Sequence, residues 1–330
     1  MLSTKSLRAT AAAFATSLFL ASCSTGGGAD TAATTGSATD TQAAAESDTV
    51  IATTNVWADV AGAVLGEDVP AVISNPATDP HDFEPAAADL AKVTQAKVLV
   101  ANGGTYDNAI YRAADPKNVI SALPLSEGGH DHGHDHGHVG EGHEHSEHDE
   151  HAHEGEGHEH DHAHEENEHI WYDTGVVREV ADKLAKVSED NGVEADTGEV
   201  DKRLDAVDAK LDALPTARIA QTHPIADAIV ENTKLEDVTP EDYRLATLNH
   251  NEPSSAAVAA LITMIENGEV DLLINNPQTP SALTDRILAA AEQNQVPVID
   301  IAETPQGGDD FFDYLDEIAN SLTEKLGKLQ

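Results

Sequence analysis

Fourteen of the chain's eighteen histidines fall between positions 130 and 164. They are His130, His132, His134, His136, His138, His143, His145, His148, His151, His153, His158, His160, His162 and His164, interleaved with Asp, Glu and Gly. Neutral imidazoles beside carboxylates bind zinc, copper or nickel. With hardly an apolar residue to bury, the stretch has no means of fixing a geometry, so it offers many equivalent weak sites and can collect metal without selecting it. His158-Glu159-His160-Asp161-His162 matches the HExxH pattern of zinc proteases, but that mechanism needs a rigid helix to set two histidines one turn apart. No apolar face is present to hold such a helix, and the match is an accident of repetition.

Three quieter histidines carry more specific chemistry. His81 sits in Asn75-Pro76-Ala77-Thr78-Asp79-Pro80-His81-Asp82-Phe83-Glu84-Pro85, a turn-rich loop between an expected strand and an expected helix. That is the carboxyl edge of a parallel sheet, where open α/β folds place ligands. His169 stands in Glu168-His169-Ile170-Trp171-Tyr172-Asp173, where apolar order resumes after the histidine-rich stretch, and His223 in Gln221-Thr222-His223-Pro224 follows another expected strand. Three histidines at comparable loop positions can converge on one ion. The remaining one, His250 in Leu248-Asn249-His250-Asn251-Glu252-Pro253, precedes a helix start and is expected to be solvent-exposed. Trp171 and Tyr172 are expected to pack beneath the site. Asp82, Glu84 and Asp173 are candidates either to accept imidazole N–H groups or to cap helices.

The elements that must position these residues follow from periodicity. Val50 to Ala52 reads as a strand, Val56 to Leu65 as a helix ended by Gly66, and Ala71 to Ile73 as a strand, the βαβ signature of a parallel sheet. A helix beginning at Pro85 and a strand from Lys97 to Ala101 continue it. After the insert, Val176, Val177, Val180, Leu184 and Val187 keep helical spacing, as do Leu204, Val207 and Leu211. The strand and helix alternation then returns: strand 218–221, helix from Pro224, helix 253–265, strand 270–274, helix 281–293, strand 296–301. The expected organisation is a leader over 1–23, a Gly/Ser/Thr/Ala-rich tether over 24–47, an N-terminal α/β lobe over 48–172 that contains an unfolded histidine-rich loop at 128–168, linker helices over 173–214 and a C-terminal α/β lobe over 215–330. The fold class is α/β: two lobes, each with a mostly parallel sheet flanked by helices, joined by a long helical linker around an interlobe cleft.

Composition narrows the partners. Eighteen Lys and Arg against sixty Asp and Glu give a net charge of −42, which repels nucleic acid and anionic lipid and attracts cations. The first residues combine Lys5 and Arg8 with an apolar run too short to span a bilayer, ending at Leu20-Ala21-Ser22-Cys23. That is a secretory leader; its last four residues resemble the bacterial lipobox, which makes Cys23 the expected lipidation site and the membrane anchor. Cys23 is the only cysteine, so no disulfide forms within the chain.

Taken together, DPHDFEP, NGGTYDNAI, HIWYD, THPIADAI and the terminal VPVIDIAETPQGG resemble the metal-binding solute-binding proteins of bacterial ABC importers, in the zinc and manganese cluster (A-I) that includes the ZnuA-like proteins. The resemblance runs from about Val50 to the C-terminus, with the motifs in family order and the histidine-rich loop where zinc-binding members carry it. It implies metal ligation by His81, His169 and His223. It implies a fourth, carboxylate ligand just after a C-terminal-lobe strand, a place Glu303 matches best. Here Glu303-Thr304 replaces the Asp-Ser pair of many relatives, and Asp300 lies within reach in sequence.

Three imidazoles and one carboxylate suit tetrahedral zinc, whereas manganese favours more oxygen. The expected function is therefore capture of Zn2+ outside the cytoplasm by a monomeric, lipid-anchored protein that delivers it to an ABC permease and its ATPase, with the loop as collector or sensor. Mn2+ is the alternative cargo, and a surface metal buffer or adhesin the alternative role. A site with four protein ligands leaves no position for an activated water, so no enzymatic activity is expected.

Overall fold

The computed structural model describes residues 50–126 and 167–328, apart from 77, 79, 82, 307 and 308. The expected leader with Cys23, the expected tether and His130 to His164 lie outside the described residues, as does Asp82.

Two four-stranded sheets, all pairs parallel, form the framework. In the first lobe β1 (Val50–Thr54), β2 (Ala71–Ile73), β3 (Val98–Ala101) and β4 (Val119–Ser121) lie in the order β2-β1-β3-β4. In the second, β5 (Ala217–Gln221), β6 (Leu235–Asp237), β7 (Leu272–Asn275) and β8 (Val298–Asp300) lie in the order β6-β5-β7-β8. The central strands read as unbroken apolar runs because helices cover both faces: every residue of Val98-Leu99-Val100-Ala101 and of Leu272-Leu273-Ile274-Asn275 is buried. Each sheet also reverses its strand order beside its first strand, which opens a crevice at the carboxyl edge.

Helix boundaries follow local chemistry. The first helix, α1 (Asn55–Leu65), stops at Gly66, whose φ of 69° puts it in the left-handed region that glycine enters without cost. The expected start at Pro85 moves two residues on. α2 (Ala87–Gln95) begins after Ala86, whose N–H donates to the Asp89 carboxylate, while Ala86 itself stays extended. A similar shift occurs after Pro224, where Gln221 Oε1 accepts from the Ala226 N–H and Ile225 N–H bonds back to the His223 carbonyl. That tight turn delays α6 to Asp227–Glu231. The short α3 (Asn108–Tyr111) leads towards β4.

Two helices, α4 (Thr174–Asp190) and α5 (Gly198–Asp212), connect the sheets. Val177, Val180, Ala181 and Leu184 of α4 are buried at helical spacing. The Asp173 carboxylate accepts from the Gly175 and Val176 N–H groups and caps the helix, which settles its role in favour of a cap. Asp173→Ala is expected to cost about 1 kcal/mol of stability and to leave metal affinity unaltered, which a paired urea titration and metal titration would check.

The second lobe continues through α7 (Glu241–Leu248), α8 (Ser255–Glu266) and α9 (Ala282–Gln293), and the final helix α10 (Phe311–Gly327) returns to pack on α5 and α1. One apolar cluster consequently holds Trp57 and Val100 of the first lobe, Leu184 and Leu204 of the connecting helices, Ile219 and Ile274 of the second lobe, and Phe312 and Leu315 of α10. A wide opening of the lobes would have to shear this shared core, so any motion at the cleft is small or confined to loops.

Candidate metal centre

The carboxyl edges of both sheets deliver the site. His81 comes from the loop after β2, His169 from the residue before a 3-10 turn at Ile170–Tyr172, His223 from the turn after β5, and Glu303 from the segment after β8. Their rings and carboxylate meet. His169 and His223 have centroids 5.0 Å apart, and His81 and His169 5.9 Å apart. The Glu303 Oε2 lies 3.1 Å from His169 Nε2, and its Oε1 lies 4.0 Å from His223 Nε2. His81, His169 and Glu303 each offer a ligand atom within 4.8 Å of the others. His169, His223 and Glu303 are 3%, 5% and 1% exposed, and His81 is half-buried.

Hydrogen bonds hold each group in place. Asn167 Oδ1 accepts from the His169 backbone N–H and lies 2.6 Å from His169 Nδ1, which fixes the tautomer that leaves Nε2 facing Glu303. The same Asn167 donates through Nδ2 to the Pro224 carbonyl and to Asp227, tying His169 to the residue next to His223. Thr222 is fixed on both sides, its hydroxyl donating to Asn275 and its carbonyl accepting from Tyr243. Glu303 Oε1 accepts from Asn276 Nδ2 at 2.7 Å. The Glu303 N–H donates to Gln278, whose own amide donates to Pro76 in the loop that bears His81.

What remains unsatisfied is informative. Among the described residues, His169 Nε2, His223 Nε2 and Glu303 Oε2 are buried without a hydrogen-bond partner, although the first and third approach to 3.1 Å without the alignment of a hydrogen bond. Buried polar atoms of this kind cost about 1–3 kcal/mol each unless something pairs with them. Burial, with the neighbouring His169 adding to it, pushes His223 down to about 3. Burial likewise pushes His81 down to about 4 against the opposing pull of Glu303. Burial alone would raise the Glu303 carboxyl, but the imidazoles of His169, His223 and His81 outweigh it and hold it near 2. The neutral imidazoles of His81 and His223 beside an ionised carboxylate, with acceptor atoms converging, form a cation-binding arrangement.

The expected neighbours sort differently. Trp171 packs beneath His169 with centroids 5.3 Å apart, and the Tyr172 hydroxyl donates to the carbonyl of Ala302, next to Glu303. Glu84 is exposed. Asp300 is turned away, accepting from Asn275 Nδ2, so the structure brings Glu303 and not Asp300 to the histidines. Asn167 and Glu168 belong to the stretch expected to be unfolded, yet both are fixed: Glu168 accepts from the Thr105 N–H and hydroxyl. His250 is exposed as expected, but its ring stands only 4.2 Å from that of His81, a proximity that its place before a helix start does not signal. Asn276 had a signal available, since it directly follows a strand end in Ile274-Asn275-Asn276.

Asn167→Ala is expected to weaken metal binding about tenfold, the lower end of what a residue orienting a ligating histidine contributes. Chelator-competed titration reads the loss, and the His169 ring 15N shifts should show a mixture of tautomers.

Comparison with known proteins agrees with this architecture. Among the curated proteins none matches the chain. Solved structures do: FpvC of Pseudomonas aeruginosa in complex with Mn2+ is 17% identical over 85% of this chain and 99% of its own, with a TM-score of 0.58. TroA, the periplasmic zinc binding protein of Treponema pallidum, is 15% identical over 86% and 99%, with a TM-score of 0.57. A crystal structure of ZnuA is 14% identical over 83% and 97%, with a TM-score of 0.54. At these identities the likeness establishes the fold. The sequence itself matches the family described as ZnuA, zinc-uptake complex component A, periplasmic, over residues 50–325. With both lobes inside that match, the chain belongs to the ZnuA family of metal-binding solute-binding proteins, components of uptake systems and not enzymes.

Proposed function

We propose that the protein captures Zn2+ outside the cytoplasm and delivers it to the permease of an ABC importer driven by its ATPase, with His81, His169, His223 and Glu303 as the four ligands. The observation that carries this reading is the convergence of two buried imidazoles, the half-buried His81 and one buried carboxylate, whose facing atoms include three without hydrogen bonds. Three nitrogens and one oxygen suit tetrahedral zinc, and nitrogen ligands bind zinc more tightly than manganese. The metals named for structural neighbours, Mn2+ and Ni2+ with FpvC and zinc with TroA, leave the choice of ion to these side chains.

In this reading Cys23 carries the lipid, 24–47 tethers a monomer to the membrane, and the lobes extend over 48–172 and 215–330 with the linker between. The histidine-rich stretch, next in sequence to His169, collects zinc or senses its abundance. Because all four positions around the ion are protein ligands, cargo is held without an activated water. Release then requires the permease to favour a loop or lobe state that binds less well.

The test is a competition titration of the full chain against a calibrated chelator, with Zn2+ and Mn2+ in separate and mixed series. One tight zinc site that a hundredfold excess of Mn2+ does not displace supports the proposal. Preferential manganese binding, or the lack of any tight site, overturns it.

A further inference from the structure

We propose a second cation site at the mouth of the cleft, formed by His81, Glu168 and His250, through which zinc enters on its way to the buried ligands. Its destination rests on the cleft site proposed above; its own ligands do not. The three residues each present a ligand atom within 4.8 Å of the other two. His81 Nδ1 lies 4.0 Å from Glu168 Oε2, while its Nε2 is buried. Glu168 is held for the purpose, because Thr105 takes its Oε1 through two hydrogen bonds and leaves Oε2 towards His81. The His81 and His250 rings are 4.2 Å apart.

His250 follows α7 and its Asn249 cap with a φ of 52°, in the left-handed region where glycine or asparagine sits at lower cost. The neighbouring residues bond back into the helix, Asn249 N–H to Leu245 and Asn251 N–H to Ala246, so the turn holds the imidazole beside His81. The negative end of the α7 dipole also lies here and favours a cation. Donor atoms around zinc with bonds of about 2.0 Å stand roughly 3.3 Å apart. The trio therefore has to close by up to about 1.5 Å, which the half-buried His81 and Glu168 and the exposed His250 reach by torsion. The surrounding pocket of about 240 Å³ has room for an ion and several waters, each water taking about 30 Å³.

This site is weaker than the cleft by construction. It has three protein ligands and retains water, against four protein ligands in a buried set. A neutral imidazole keeps its proton on one nitrogen, so His81 serves one ion at a time. An ion held through Nδ1 passes inward when the histidine changes partner, and the outer site is then cleared.

Zinc-edge anomalous diffraction from crystals of the full chain tests the proposal in three forms: unaltered, His223→Ala, and His223→Ala with His250→Ala. With the inner set impaired, the His223→Ala protein should show an anomalous peak among His81, Glu168 and His250, and the double variant should lose it. Zinc in the single variant only between His81, His169 and Glu303 overturns the outer site. No zinc at the inner set of the unaltered protein overturns the cleft assignment instead, and the single variant still decides the outer one. Stopped-flow capture, read from Trp171 beside His169, gives a second measure on an exposed substitution that does not threaten folding. His250→Ala should slow zinc capture at least fivefold, and an unchanged rate overturns the proposal.

Discussion

Glu303→Gln is expected to weaken zinc binding at the cleft by roughly two to three orders of magnitude, while Asp300→Asn changes it less than twofold. Four-ligand zinc sites contribute about 10–16 kcal/mol, so one ligand accounts for roughly 3–4 kcal/mol, with about 1.4 kcal/mol to each factor of ten. Glutamine keeps the shape, and its amide oxygen can still accept from Asn276 Nδ2. What it removes is the negative charge that Glu303 sets against a dication beside His169 and His223. Asp300 accepts from Asn275 Nδ2 and is not among the residues whose ligand atoms cluster with His81 and His169. The paired substitutions, read by chelator-competed titration, decide the fourth ligand. A large loss with Asp300→Asn and a small one with Glu303→Gln would move it three residues back, to the last residue of β8. A thermal shift gives an independent reading, because a ligand bound only by the folded state stabilises it with the logarithm of ligand concentration over Kd; at saturating zinc, Glu303→Gln should reduce the zinc-induced stabilisation by about 3–4 kcal/mol.

The same residues show what the sequence could and could not carry. The strands were legible because they are buried on both faces and read as apolar runs between turn residues, as in Val98 to Ala101 and Leu272 to Ile274. The three histidines were legible because each follows a strand or ends a turn-rich segment, the positions at which parallel sheets expose side chains to a common crevice. Glu303 could be placed beside them only through its family position, since Asp300 meets the same local description. Helix starts after Pro85 and Pro224 were misplaced by two or three residues because proline permits a helix start without enforcing one. The deciding hydrogen bonds, from the Ala86 N–H to Asp89 and from the Ala226 N–H to Gln221, depend on side-chain direction.

The supporting shell was not legible for a related reason. Asn167 lies in Glu165-Glu166-Asn167-Glu168, where composition argues for a solvated run, and it becomes a structural residue only because His169, Pro224 and Asp227 converge around it. Gln278 likewise joins Glu303 to Pro76 across more than two hundred residues of sequence. Polar residues whose partners lie that far apart leave no periodic trace. The short strands β4 and β6 fail differently: Val119-Ile120-Ser121 and Leu235-Glu236-Asp237 contain polar residues and lack the unbroken apolar run that marks Ala71-Val72-Ile73.

Acidification is expected to separate the two classes of histidine. Between pH 7.5 and pH 5.5 the histidine-rich stretch should lose most of its zinc while the cleft keeps its own. An imidazole with the ordinary value near 6.5 is about nine-tenths protonated at pH 5.5, so each histidine in a weak site costs roughly a factor of ten, and a two-histidine site about a hundredfold. His81 and His223 are pushed by burial to about 4 and about 3, so protons do not compete for them in this window. The same shifts act on the metal-free fold with a definite sign. Unfolded, these two histidines take up protons below about 6.5; folded, they do not until about 4 and 3. The unfolded state thus binds more protons as pH falls, and stability drops by about 1 kcal/mol per histidine by pH 5.5. Glu303, held near 2 when folded against 4.5 unfolded, adds stability that persists above about 4.5, so it does not offset that loss in this range. Titrating the intact chain and a chain lacking 130–164 at both pH values, with melting curves for the metal-free forms, checks each part. One tight site in both chains at both pH values, with several weak ones in the intact chain only at pH 7.5, places cargo in the cleft and collection in the histidine-rich stretch. Loss of the tight site together with 130–164 would instead make that stretch the receptor, with His81, His169 and His223 in a structural role.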